Sequence, residues 1–117
     1  SLKKDNEYRK KLAETYNKYL PRWIERPYKS ETNHIYTIRV PDRDGLMDYL
    51  AENGIGTGLH YKPLNHYKIF GEQGELPITE KAFKTIISLP LHLNLSVADV
   101  KKVCGRIKDY FKDRFGF

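Results

Sequence analysis

Two apolar stripes at helical spacing, one near each end of the chain, set the main constraint on how it folds. In "NEYRKKLAETYNKYLPRW", Tyr8, Leu12, Tyr16, Tyr19 and Trp23 recur every three or four residues, with lysines and glutamates opposite. Near the other end, Val100, Val103, Cys104, Ile107 and Phe111 do the same. A helix that is apolar on one side must bury that side against another element. Between the two stripes the period changes. In "NHIYTIRVP", His34, Tyr36, Ile38 and Val40 share one face, and Ile35, Thr37 and Arg39 share the other. That alternation is a strand. Helices and strands are therefore mixed in one α+β chain.

The remaining elements follow from local signals. Pro21 stops the first helix, read over 8–23. Asp42 or Asp44 is placed to cap a helix over "DGLMDYLAEN", which buries Leu46, Met47 and Leu50 and ends at Gly54. "IGTGLHY" reads as a short strand whose glycines allow close approach of a ligand or backbone. A loop follows, with one helical turn around Tyr67–Phe70, and "GEQGELP" reads as turn throughout. Thr79 is placed to cap a helix over "EKAFKTII", with Ala82, Phe83, Ile86 and Ile87 on its apolar face. "SLPLHL" is extended. Ser96 and Asp99 have the spacing of a capping box for the last helix. The expected architecture is a two-layer α/β sandwich, a small three-stranded sheet covered by helices, and one domain over residues 1–117.

Several function classes are disfavoured. No stretch approaches the roughly 20 apolar residues of a membrane span. The opening "LKKDNEYRKK" lacks the apolar run of a signal peptide. The single cysteine, Cys104, has no internal disulfide partner and sits on a helix stripe as a packing residue. These features fit a reducing, cytoplasmic setting. The net charge of +6 is spread over surfaces that also carry acids: Lys101, Lys102, Arg106, Lys108, Lys112 and Arg114 alternate with Asp99, Asp109 and Asp113. That reads as a solvated helix face rather than a nucleic-acid stripe. The four histidines, His34, His60, His66 and His92, lack metal-ligand spacing. "GIGTG" follows a helix instead of opening one, so it is a poor phosphate cradle.

The densest chemistry is "TGLHYKPLNHY", residues 57–67. Its aromatics can plug a sheet edge. Equally, histidine and lysine can neutralise an anion, tyrosine can donate a hydrogen bond, and glycine lets backbone come close, which together make a ligand rim.

The segments "GIGTGLHYKPLNHY" and "LPITEKAFKTIISLPLHLNLSVADVKKV" resemble the C-terminal small domain of the DegT/DnrJ/EryC1/StrS aminotransferases. So do Arg9, Ala13, Tyr16 and Leu20 of the first helix, "HIYTIRV", "RDGLMDYL" and "SLPL". The resemblance runs from about Arg9 to Phe111. It implies pyridoxal-phosphate (PLP) enzymes of fold type I that act on nucleotide-linked sugars in polysaccharide biosynthesis. It implies that the N-terminal PLP-binding domain and its Schiff-base lysine are absent from this chain, which begins with serine and reads as a piece of a larger protein, inactive alone. No catalytic, cofactor-binding or metal-binding residue is then expected here, and no bound cofactor.

By the same resemblance, His60, Tyr61 and Lys62 line the substrate cleft. Asn65 replaces a histidine common in the family, so it can hydrogen-bond without becoming cationic; His66 is its neighbour. Asn33 and His34 match a position near the active site. The implied partners are the missing domain, a nucleotide sugar and a second subunit, with neither nucleic acid nor membrane. Tyr8, Tyr16 and Trp23 are read as surplus aromatic surface that covers a partner. The alternative is a stand-alone basic α+β module that binds an anionic ligand or nucleic acid without catalysis.

Overall fold

A computed structural model describes residues 2–26, 35–58, 68–71, 74–77 and 85–117 of the chain. In chain order the elements are α1 (Leu2–Tyr19), β1 (Ile35–Arg39), α2 (Arg43–Glu52), β2 (Lys68–Gly71), β3 (Gly74–Pro77), β4 (Ile86–Pro90) and α3 (Val97–Phe115).

The two stripes become α1 and α3, which pack on each other. Tyr8 donates its hydroxyl to the Leu95 carbonyl just before α3, and Trp23, just past α1, meets Phe111. On α1 the buried residues are Leu12, Ala13, Thr15 and Tyr16. Tyr19 and Trp23, expected on the same stripe, are 41% and 42% exposed. The helix ends at Tyr19, so Trp23 lies in the turn beyond Pro21 rather than on a continuing helix face. On α3 the whole expected stripe is buried, with Tyr110 added to it. Burying such side chains contributes roughly 1.5–3 kcal/mol each.

The helix ends show both agreement and correction. Ser96 accepts from the Asp99 N–H at 3.0 Å, and the Ser96 N–H donates to Asp99 Oδ2 at 2.9 Å, completing the capping box. Gly54 turns left-handed at φ 78 after α2. Asp42 occupies the N-cap of α2 but makes no side-chain cap bond, because it is itself left-handed (φ 52) and its carboxylate accepts from the Tyr110 hydroxyl. That hydrogen bond explains Gly45: a Cβ there would lie 2.3 Å from Tyr110 Oη and 2.6 Å from Asp42 Oδ2.

The sheet differs from expectation. β1 and β4 form a two-stranded antiparallel pair, with Tyr36 opposite Leu89 and Ile38 opposite Ile87. The expected third strand over "IGTGLHY" is, among the described residues, a single bridge from Gly58 to Ser88. Among the described residues the fold is thus mixed helix and strand around a two-stranded β1–β4 sheet, and the rest of the expected third strand, 59–61, lies outside the described residues. Ile86 and Ile87, expected on a helix, lie in β4. Residues 79–84 of that expected helix lie outside the described residues. β4 carries the stretch Ile86–Leu89, buried throughout although Ser88 is polar, and so few residues show no period by which to tell strand from helix. Residues 68–77, expected as a helical turn and a loop, contain a β2–β3 hairpin. Gly71 pairs with Gly74 and Lys68 with Pro77 across a two-residue connection.

Candidate functional site

The frame of the site is β4. β1 pairs along one side of it. On the other side, Gly58 and Ser88 exchange both backbone hydrogen bonds, at 3.0 and 2.9 Å. The candidate residues His34, His60, Tyr61, Lys62 and Asn65 lie outside the described residues, as do Asn33 and His66. Their attachment points are described. Ile35, which follows His34, is opposite Pro90, and Gly58, two positions before His60, is opposite Ser88. Both segments that carry candidate residues are therefore tied to the same strand, on its two edges.

The glycines beside the second attachment point are not demanded by the fold. A Cβ on Gly56 would meet nothing within 4 Å, and one on Gly58 would touch Ser88 Cβ at an ordinary 3.8 Å. Neither residue has a positive φ; only Gly54 does in this segment. Neither glycine is therefore explained by packing or backbone conformation among the described residues. Beside them lies a groove of about 340 Å³ lined by Asn53, Gly56, Pro90, His92, Asp99 and Lys102 among others. The glycines of "GIGTG" were the only sequence signal for it. Its Asp99 carboxylate is held below the usual range by the hydrogen bonds from Ser96, so it is committed to the cap.

A polar network fixes the Pro90 end of β4 from behind. Tyr16 donates to the Pro90 carbonyl at 2.6 Å and stacks on Tyr36 with centroids 4.7 Å apart. The Tyr36 hydroxyl donates to Asn17 Oδ1. Arg26 donates to the carbonyls of Asn17 at 3.0 Å, Pro21 at 2.6 Å and Ile24 at 3.3 Å. Burial raises the Tyr16 hydroxyl well above its ordinary range and pushes Tyr36 up to about 12, with Arg26 opposing the latter shift. Burial likewise pushes the Cys104 thiol up to about 12. These groups stay neutral and structural near neutral pH. Tyr16, expected as surplus surface, is fully buried, and Cys104 packs in the core as expected.

The Ile86 end is fixed by two arginines. Arg39 Nε donates to Thr85 Oγ1 at 2.9 Å and its Nη1 reaches Glu25 Oε2 at 3.3 Å. Arg43 Nη1 donates to the Ile86 carbonyl at 3.2 Å. The alternation of "HIYTIRV" did not show that Arg39 is structural.

The described residues do not make a PLP site. Such a site needs a sheltered lysine amine to form the Schiff base, and every described lysine is exposed on a helix surface wherever its burial is given. Among the described residues no group of three histidine, cysteine or acidic side chains is placed to hold a metal, and no helix is long and apolar enough to cross a membrane.

The chain's similarities agree with this frame. A curated relative from Geobacillus stearothermophilus, named a pleiotropic regulatory protein, is 33% identical over 91% of this chain and 32% of its own length. A dTDP-3-amino-3,6-dideoxy-α-D-galactopyranose transaminase from Aneurinibacillus thermoaerophilus is 30% identical over 93% of this chain and 32% of its own. The crystal structure of a DegT DnrJ EryC1 StrS aminotransferase from Brucella abortus superposes with a TM-score of 0.68 at 33% identity, covering 89% of this chain and 30% of that one. The chain thus spans about a third of the length of the relatives it matches. The model of the DegT/DnrJ/EryC1/StrS aminotransferase family matches residues 1–108, and the chain belongs to that family.

Proposed function

We propose that this chain is the small domain of a PLP-dependent aminotransferase that moves an amino group from glutamate to a keto-sugar linked to a nucleotide. The observation that carries the reading is the family match over residues 1–108. The relatives' remaining two-thirds of length, which this chain does not span, would hold PLP and its lysine; PLP supplies the electron sink for amino transfer. The full enzyme would work in the cytoplasm as a homodimer.

In this reading the small domain forms one wall of the sugar-nucleotide cleft. Lys62 and His60 supply positive charge to the diphosphate, and the Tyr61 hydroxyl donates to a sugar oxygen. Asn65 hydrogen-bonds without charge, and His34, the residue before β1, borders the cleft. Gly56 and Gly58, which packing among the described residues does not require, support the reading, because neither carries a Cβ that a ligand would meet. The chemistry of these side chains is orientation and charge neutralisation, with no proton or group transfer of their own.

The test uses the full-length enzyme and separates its two half-reactions. His60→Ala and Lys62→Ala are expected to lower kcat/KM for the nucleotide keto-sugar by about tenfold or more, and to leave the glutamate half-reaction nearly unchanged. Equal loss in both halves contradicts the assignment.

A further inference from the structure

The buried stripe of α1 continues past the part of the helix that the core covers. Leu2, Asn6, Arg9, Ala13, Tyr16 and Leu20 recur at spacings of four and three in turn, so they lie along one side of α1 and the turn that follows it. Ala13, Tyr16 and Leu20 are buried, whereas Leu2, on the same line, is 74% exposed. Between them Asn6 and Arg9 are partly buried. Their Asn6 Oδ1 and Arg9 Nε atoms are shut off from solvent and have no hydrogen-bond partner among the described residues. Arg9 makes no ion pair there either.

These two atoms stand out against their neighbours on the helix. Tyr8, between them in sequence, gives its hydroxyl to the Leu95 carbonyl, and Thr15 gives its own to the Lys11 carbonyl at 2.8 Å. A buried donor or acceptor left without a partner is destabilising, so each implies a group that reaches it. The requirement is specific. Arg9 Nε–H needs an acceptor oxygen, and Asn6 Oδ1 needs a donor hydrogen. The two residues are three apart, on adjacent turns of one helix side, about 4.5 Å apart along the axis. A peptide unit carries one C=O and one N–H and answers both needs.

We infer that this side of α1, from Leu2 to Arg9, seats a main-chain segment from the part of the parent polypeptide that this chain does not span. A carbonyl of that segment accepts from Arg9 Nε, an N–H donates to Asn6 Oδ1, and an apolar side chain covers Leu2. With the chain as the small domain, the reading on which this rests, the PLP-binding domain joins at the Leu2 end of α1, where the stripe is bare. The chain spans about a third of the length of its relatives, so ample length remains to cover that end. Leu2, Asn6 and Arg9 all fall within 1–108, the region matched by the family model, as fits a surface that meets a part the relatives share. Other occupants match less well. A second copy packed by the same side would bring two Arg9 guanidinium groups together. An anion would meet the Asn6 carbonyl oxygen. A lipid surface would have Asn6 and Arg9 in the middle of its apolar stripe.

The experiment is photo-cross-linking in the full-length parent, with p-benzoylphenylalanine introduced at position 6. Irradiation is expected to join that position to a segment of the same polypeptide that lies outside residues 1–117 and is not contiguous with α1, as located by peptide mass spectrometry. A second measurement leaves Asn6 in place. Arg9→Met is expected to speed amide exchange over residues 5–12 by about tenfold or more, whereas Lys11→Met, on the exposed opposite side of α1, leaves it unchanged. The inference is overturned if position 6 joins only to residues within 1–117, joins two polypeptides, or joins to nothing, as it would when facing water. Equal effects of Arg9→Met and Lys11→Met overturn it as well. The visible absorbance of bound PLP in the same preparation, and its loss on borohydride reduction, tests the functional reading separately. A parent without PLP contradicts that reading, while the cross-link still decides what covers α1.

Discussion

The chain holds two aromatic clusters, and they have opposite fates. Tyr16 and Tyr36 stack inside the core, and each hydroxyl reaches a partner, the Pro90 carbonyl for one and Asn17 for the other. Trp23, Phe115 and Phe117 gather on Phe111 at the surface, each about half exposed, beside a row of lysines. Both clusters sit between α1 or its end and a neighbouring element. The difference is in their polar atoms. A buried tyrosine whose hydroxyl is satisfied ties two elements together and has nothing left to offer. Half-exposed rings with no hydroxyl among the phenylalanines retain apolar surface in water.

Replacing the two clusters in turn is the strongest way to break this comparison. Tyr16→Ala should cost about 3–5 kcal/mol by denaturant titration, the ordinary penalty for a fully buried ring. Trp23→Ala should cost only about 1 kcal/mol, because half of that ring is already in water. Similar costs would place both clusters in the core. Next in size, Gly45→Ala should cost about 1–3 kcal/mol through collision with Tyr110 Oη and the Asp42 carboxylate. Adding Tyr110→Phe, which removes the hydroxyl, should recover part of that loss in the double variant. Tyr36→Phe and Ser96→Ala should each cost about 1 kcal/mol, the first by losing the bond to Asn17 and the second by losing the cap of α3.

The buried cluster also predicts alkaline sensitivity. Tyr36, Tyr110 and Cys104 have folded-state values raised to about 12. Raised values mean that the neutral forms are favoured by folding, so this contribution is complete below the groups' ordinary values. It is lost as pH rises from those ordinary values, about 9 for the thiol and 10 for the phenols, toward about 12. Thermal melts should therefore hold steady to about pH 9 and fall beyond it. Asp99 acts in the opposite direction. Its lowered value makes the α3 cap complete above its unfolded value and lost as pH falls through the folded one.

The periodic parts of the fold were legible in the sequence. The α1 and α3 stripes, the strand over Ile35–Arg39, Gly54 and the Ser96–Asp99 box follow from spacing and backbone preference. What was not legible depends on partners distant in the chain. Ile86 and Ile87 became strand because they pair with Arg39 and Ile38. Asp42 gave up capping because Tyr110, 68 positions away, takes its carboxylate. The β2–β3 hairpin has strands of four residues, too short to show a period. Of the candidate site, the residue types in "TGLHYKPLNHY" were readable. Their common anchorage to β4 was not, since it rests on the single Gly58–Ser88 bridge.

The most direct measurement compares the two faces in the full-length protein of the proposed reading by amide hydrogen exchange, with and without a nucleotide-linked keto-sugar. The account predicts that the ligand protects amides around 56–66 and 33–36 and leaves 101–117 unchanged. Protection of the α3 face instead, or no protection near His60, would contradict the placement of the substrate wall.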